Sequence, residues 1–235
     1  MNGACNRIGE TGKAFVRSAA CVLCVLALLV VAGCKDRDVD SRGGGAEQAG
    51  PPAVAATERI VLESTIAGSW YPADADELRR QIGSLYDKAD VQPANDVAAL
   101  ILPHAGYVYS GQTAACGLKA AGGDYHRVVV IGPTHRLPMA EMLALPRATH
   151  YRTPLGEVAL DVEFMDGLLE YPQFQIVPAA HEPEHSVQIE VPLVQSRYPS
   201  FKLVPIVAGQ CSYETIVRVA RSEEHTSELQ SHHPI

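Results

Sequence analysis

With 235 residues, 47% of them apolar and 20% charged, the chain is long enough for one sizeable domain with a buried core and has an ordinary globular composition. A formal charge of −8, with no basic cluster interleaved with aromatics, excludes general nucleic-acid binding. The six cysteines do not make a disulfide framework, because Cys5, Cys21, Cys24 and Cys34 all fall near the N-terminus and the Cys21–Cys24 CxxC lies in an apolar run without further ligands.

Taken in chain order, Arg7, Lys13 and Arg17 precede an apolar stretch from Ala19 to Ala32 that ends Val31-Ala32-Gly33-Cys34. A basic start, an apolar middle and small residues before a cleavage point describe a secretory signal. The VAGC ending resembles a bacterial lipobox, so residues 1–34 are expected to form a lipoprotein-type signal peptide, with Cys34 lipidated after cleavage before it. The chain would then sit in the bacterial cell envelope, lipid-anchored to a membrane. An uncleaved membrane-spanning anchor is the alternative, since the run is only slightly short of a full span. Residues 35–58 are polar and rich in glycine and proline, and read as a flexible linker.

From residue 59 the pattern becomes that of an alternating domain. Asp74 and Glu77 have capping-box spacing ahead of Leu78, Ile82, Leu85 and Tyr86, which recur at helical intervals. VAALILP (97–103) reads as a buried strand, residues 111–121 as a helix with Cys116 a small buried residue on it, and RVVVIG (127–132) as a second buried strand. MLAL (142–145) is a short strand. TPLGEVALD forms a turn into another, and Asp161 is placed to cap a helix over 162–170. FQIVPA is strand-like, HSVQIEVPLVQSRY helical with an interruption at Pro192, KLVPIVAG (202–209) a further strand, and Tyr213 begins a last helix. Continuous β-branched runs separated by helices predict an α/β domain with a mixed, largely parallel sheet flanked by helices. A Cys116–Cys211 disulfide stays open.

In such sheets functional groups gather beyond the carboxyl ends of strands. His104 follows the 97–103 strand in PHAG, and His135 follows the 127–132 strand in PTH. Neutral imidazole suits iron, copper or zinc, but two histidines do not complete a site. HEPEH (181–185) matches the zinc-protease pattern H-E-x-x-H. Pro183 between the two histidines breaks the single helix that pattern requires, so the protease reading is rejected. A helix beginning near Pro183 would leave His181 outside it and put Glu184 and His185 in its first turn. Trp70, the one tryptophan, is either core or an aromatic wall of the pocket.

Five blocks in order, AGSWYPADADELRRQI, LILPHAGYVYSGQTAACGLKA, VVVIGPTHR, YRTPLGEVALD and HEPEHSVQIEVPLVQ, resemble the Memo family, called AmmeMemoRadiSam system protein B in prokaryotes. The resemblance covers roughly residues 59–220. It implies a fold similar to class III extradiol dioxygenases, with His104 and His135 as metal ligands and Trp70 lining the pocket beside Glu184 and His185. It implies iron or copper and metal-dependent redox or dioxygenase-like chemistry. The alternative it carries is a non-enzymatic module binding a peptide or protein in the same pocket. An unknown small molecule or peptide would be the ligand, with AMMECR-like and radical SAM proteins as pathway partners. The family's further cysteine ligand and its later Asp and His have no counterpart here, and Cys211 is not a substitute. The domain is therefore expected to be truncated after about residue 220, incomplete in its sheet, short of its third ligand, and inactive. The last fifteen residues, RSEEHTSELQSHHPI (221–235), back-translate in frame to a sequencing-library adapter and are expected to be an artefact. A solvated natural terminus is the bland alternative, and a histidine-rich metal tail ranks below both.

Overall fold

The computed structural model describes residues 26–32, 58–94 and 97–221. The linker expected at 35–58 lies almost wholly outside these residues, as do Cys34 and positions 222–235.

The first described element is a strand, β1 (Leu26–Ala32), followed by β2 (Val61–Glu63) and helix α1 (Ala75–Asp87). Helix α1 starts where the capping box predicted: Asp74 is extended, and its carboxylate accepts the Glu77 N–H at 2.8 Å. The chain then runs through β3 (Ala99–Pro103), a π-helical turn (Tyr107–Gly111) and α2 (Gln112–Ala120), so the helix expected from residue 111 is preceded by a wider turn. Next come β4 (Arg127–Pro133), β5 (Leu143–Leu145), the hairpin β6 (His150–Thr153) and β7 (Gly156–Ala159), and α3 (Val162–Leu168). Gly156 has φ +118°, which opens the hairpin turn at a backbone angle that side-chain-bearing residues avoid. Asp161 caps α3 by accepting from Phe164 N–H, as its position predicted. The last elements are β8 (Phe174–Ile176), the short helices α4 (Pro178–His181) and α5 (His185–Gln188), α6 (Val191–Arg197) and β9 (Lys202–Ala208). Residues 213–221 are helical.

The strands form a six-stranded sheet in the order β3-β1-β4-β9-β5-β8 and a three-stranded sheet in the order β2-β6-β7. The main sheet is mixed. β4 pairs with β9 and β5 with β8 in parallel, while β1 runs antiparallel to both of its neighbours and β5 antiparallel to β9. The fold is thus α/β, with mixed sheets flanked by helices. The core gathers Val128, Val130, Leu203, Val204 and Ile206 from the central strands with Leu78, Ile82, Leu118, Leu193 and Val194 from α1, α2 and α6, all at most 1% exposed. Burying such side chains contributes about 1.5–3 kcal/mol each.

Three expectations change. Leu26–Ala32, inside the expected signal peptide, is an internal strand, its register running from Leu26 opposite Pro103 to Ala32 opposite Arg127. A mainly apolar run rich in branched residues fits a strand paired on both edges as well as it fits a signal core; a lipoprotein signal is therefore not supported by the fold. No helix among the described residues is long and apolar enough to cross a membrane. The Cys116–Cys211 bridge is also ruled out, because Cys211 is a free thiol. Finally, the second sheet was not anticipated, since β2 is three residues long and has no period of its own to read.

Candidate metal centre

β3 and β4 both run antiparallel to β1, so they point the same way and end at the same edge of the sheet. His104 lies one residue past β3 and His135 two past β4, which brings their rings together at 5.4 Å between centroids. The His104 turn is held by Ser110, whose hydroxyl accepts the Ala105 N–H at 3.0 Å and faces the Ala105 and Pro103 carbonyls. Tyr107, in the π-helical turn, donates its hydroxyl to the Ile189 carbonyl at 3.0 Å. It thereby ties this turn to the α5–α6 junction.

The third member is His185. Pro183 ends one helical segment rather than starting the next: α4 stops at His181, a turn covers Glu182 and Pro183, and α5 begins at His185 with Glu184 as its N-cap. The expected helix start near Pro183 is therefore two residues early. The Glu184 carboxylate accepts the Ser186 N–H at 3.0 Å, and this cap fixes the boundary. His185 stacks on His135 at 4.3 Å between centroids and 26° between planes, and lies 5.9 Å from His104. Trp70 also packs against it, at 4.4 Å between ring centroids. Trp70 in turn is fixed by its N–H to the Ile66 carbonyl (3.0 Å) and by Tyr107 N–H to its own carbonyl (3.1 Å). Trp70 also lines a cleft of about 630 Å³ with Glu77, Gln81, Gly106 and Tyr109.

His104, His135 and His185 each offer a ring nitrogen, and these atoms lie within 4.8 Å of one another. Imidazoles bound to a common ion at about 2.1 Å can be at most about 4.2 Å apart, so a small rotation of the rings closes the set. The fit is supported by orphaned atoms: Nδ1 of His104 and Nδ1 of His185 are buried without a hydrogen-bond partner. Such groups are costly unless something else takes them up. Protonation is also disfavoured. Burial, with His135 and His185 adding repulsion, lowers the His104 pKa to about 4. His185 is lowered as well, by burial above all, against the pull of Glu184. Both are neutral near pH 7, the form that binds metal.

Glu184 is 1% exposed. Burial alone would raise its pKa, but hydrogen bonds from the His135 ring, the His135 N–H and the Ser186 N–H prevail and lower it. The carboxylate therefore belongs to the site as an anion beside the three rings. His181, the other half of the apparent protease motif, is elsewhere: its Nε2 meets the Ala144 carbonyl at 2.9 Å, and burial lowers its pKa to about 4. The rejection of that motif stands, as does the exclusion of Cys211, which is outside the cluster of ligand atoms. The sequence singles out His104 and His135 as ligands and His185 as a pocket residue and leaves the third ligand to a segment beyond the chain; the structure brings the three rings together. His185 offers one within it. The stretch concerned is Glu184-His185-Ser186, in which Glu184 is the N-cap and His185 the first residue of α5.

A model of the Memo-like protein family matches residues 63–230, a range that includes ten positions of the segment read as an artefact. A MEMO1 family protein of Archaeoglobus fulgidus is 37% identical over 162 residues, covering 66% of this chain and 57% of that one. Protein MEMO1 of Danio rerio is 32% identical over 159 residues, covering 65% and 53%. The memo-1 homolog of Caenorhabditis elegans is 33% identical over 147 residues, covering 61% and 41%. The match thus spans little more than half of the relatives' length, or less. With more than two thirds of its residues inside the family match, the chain belongs to the Memo-like protein family.

Proposed function

We propose that this protein binds a transition-metal ion, iron or copper, through His104, His135 and His185, and uses it for redox chemistry of a dioxygenase-like kind on a small molecule. The observation that carries the reading is the convergence of three imidazoles from β3, β4 and α5, two of them with buried, unpartnered ring nitrogens. An iron or copper ion with three protein ligands would supply redox capacity and open coordination positions. The chain's own residues bind and orient the ion, and the Trp70 face excludes water from one flank of it. The cleft beside Trp70 is where a flat organic substrate would lie.

The test is direct. The protein is stripped with chelator, titrated with Fe(II) under nitrogen and with Cu(I), and assayed for oxygen uptake with candidate catechols. Stoichiometric uptake of one metal, lost in His104→Ala, His135→Ala and His185→Ala, is the expected result. Peptide binding that survives these substitutions in metal-free protein would overturn it in favour of a non-enzymatic module using the same cleft. That second reading draws on the exposed Tyr109, 87% accessible at the cleft edge.

Association with AMMECR-like and radical SAM proteins belongs to the same proposal, whereas an envelope location through Cys34 is a separate reading that requires cleavage before Cys34 and loss of β1. Co-purification tests the first, and incorporation of radiolabelled palmitate in the natural bacterial host, abolished by Cys34→Ala, tests the second. Absence of label from the unmutated chain would leave residues 26–32 to the sheet.

A further inference from the structure

We infer that Glu184 is the positioning residue of this metal site: it presents His135 as the Nδ1–H tautomer, so that Nε2 is the nitrogen left for the ion, and the same carboxylate sets where His185 leaves α5. The inference rests on the metal-site reading for its purpose, though not for its geometry.

The Glu184 carboxylate makes four contacts. It accepts the His135 N–H through Oε2, meets the His135 ring Nδ1 at 2.8 Å through Oε1, accepts the Ser186 N–H at 3.0 Å, and lies 3.4 Å from His185 Nδ1 without forming a hydrogen bond there. An ionised carboxylate only accepts, so the ring nitrogen facing it carries the proton. A neutral imidazole has one N–H, which leaves Nε2 of His135 as a bare lone pair. His104 has no such partner: its Nδ1 is buried and unpaired. One ligand of the three is therefore set in advance, through a carboxylate–histidine arrangement of the kind that orients metal ligands elsewhere.

The second half of the role follows from where Glu184 sits. It is the extended residue ahead of α5, with φ −88° and ψ 125°. The first turn of α5 cannot rotate without releasing the loop after β4. Ser186 adds a second tie, donating its hydroxyl to the Pro133 carbonyl at 2.9 Å. Gly132 permits that approach, since a Cβ there would stand 2.3 Å from the Ser186 Oγ. The path from β4 to His135, through Glu184 to α5 and on to His185, is a closed loop of short contacts, and the carboxylate is its shared node.

Two measurements test this. In unmutated, metal-free protein with ¹⁵N-labelled histidine, long-range ¹H–¹⁵N correlation should show His135 as the Nδ1–H tautomer; the Nε2–H form, or a mixture of the two, would overturn the proposal. Glu184→Gln keeps the side-chain length and an acceptor for Ser186 N–H but loses the charge and the second acceptor. It should weaken Co(II) binding about 10- to 100-fold and alter the visible Co(II) spectrum, a larger effect than the fall in thermal midpoint of the metal-free protein accounts for. Co(II) affinity and spectrum equal to those of the unmutated protein would overturn the proposal. If the unmutated protein takes up no Co(II), the metal reading fails alone, and the tautomer measurement still decides the role of Glu184. It also decides if the variant does not fold.

Discussion

Glu190 sits between α5 and α6 at 1% exposure, with its Oε2 lacking any hydrogen-bond partner. No cation pairs with it among the described residues, and the groups it acts on are the phenols of Tyr107 and Tyr86, both pushed above their usual range mainly by burial. Burial raises the Glu190 pKa from 4.5 to about 8. The sign follows from proton counting. Below pH 4.5 both folded and unfolded chains hold the proton and the residue is neutral with respect to stability. As pH rises toward 8 the unfolded chain releases its proton and the folded one does not, so stability falls with pH through this window and levels off above it. Each pH unit costs about 1.4 kcal/mol, so the penalty reaches about 3 kcal/mol by pH 7. Glu190→Gln removes the ionisation but buries one more N–H, returning about 1 kcal/mol of that gain. We expect the variant to be more stable by about 2 kcal/mol at pH 7 and to lose the advantage near pH 5. Urea unfolding followed by fluorescence of the one tryptophan, Trp70, at half-unit steps from pH 5 to 8.5 measures the difference. A stability difference that stays constant across this range would refute the reasoning, because it would mean that Glu190 is already ionised in the fold.

Gly132→Ala would drive a methyl into Ser186, whose Oγ and Cβ stand 2.3 and 2.7 Å from the new atom. Overpacking of this kind costs about 1–3 kcal/mol, and because α5 must move off β4, metal affinity should fall further than the thermal midpoint alone implies; parallel calorimetric titration and melting will show whether it does. Asp161 is 2% exposed, caps α3, bonds Arg127 at 2.6 Å and lies 3.7 Å from Lys202. Asp161→Ala should cost about 2–4 kcal/mol in guanidinium unfolding, and Asp161→Asn should recover about 1 kcal/mol of it by restoring the cap.

The elements legible in the sequence were those whose own residues state their role. The capping box at Asp74, the β-branched runs of β4 and β9 and the proline break before His185 are local statements, and the structure repeats them with shifts of a residue or two. His104 and His135 were singled out because strand ends are where α/β sheets collect function, and the structure brings their rings together. What was not legible depends on partners distant in sequence. β2 is a strand only because β6 lies beside it. Glu184 reads locally as a first-turn helical residue, and only the fold shows that it caps α5 and that the atoms it faces belong to His135, 49 residues away. The apolar run at residues 26–32 has two physical readings, and hydropathy alone does not separate them.

Those two readings exclude one another, and the histidine cluster registers which one applies. Cleavage before Cys34 would remove β1, and in the sheet β3 is joined to β4 only across β1. His104 belongs to β3, whereas His135 and His185 belong to β4 and the helix tied to it, so loss of β1 would separate one ligand from two. Yet β3 has a second support, because Leu102 reaches to within 2.4 Å of where a Cβ on Gly117 of α2 would stand, and the Tyr107 hydroxyl bonds Ile189. Burial of Leu102 contributes about 1.5–3 kcal/mol, comparable to the net gain of a few ladder hydrogen bonds at about 1 kcal/mol each. A chain beginning at Cys34 should therefore keep His104 in place while exposing the inner edges of β3 and β4 to solvent. Amide hydrogen exchange should accelerate at Leu100–Leu102 and Val128–Val130, and metal binding should weaken without disappearing. Unchanged protection of both strands would mean that residues 26–32 never paired with them, and would return this segment to the reading as a signal.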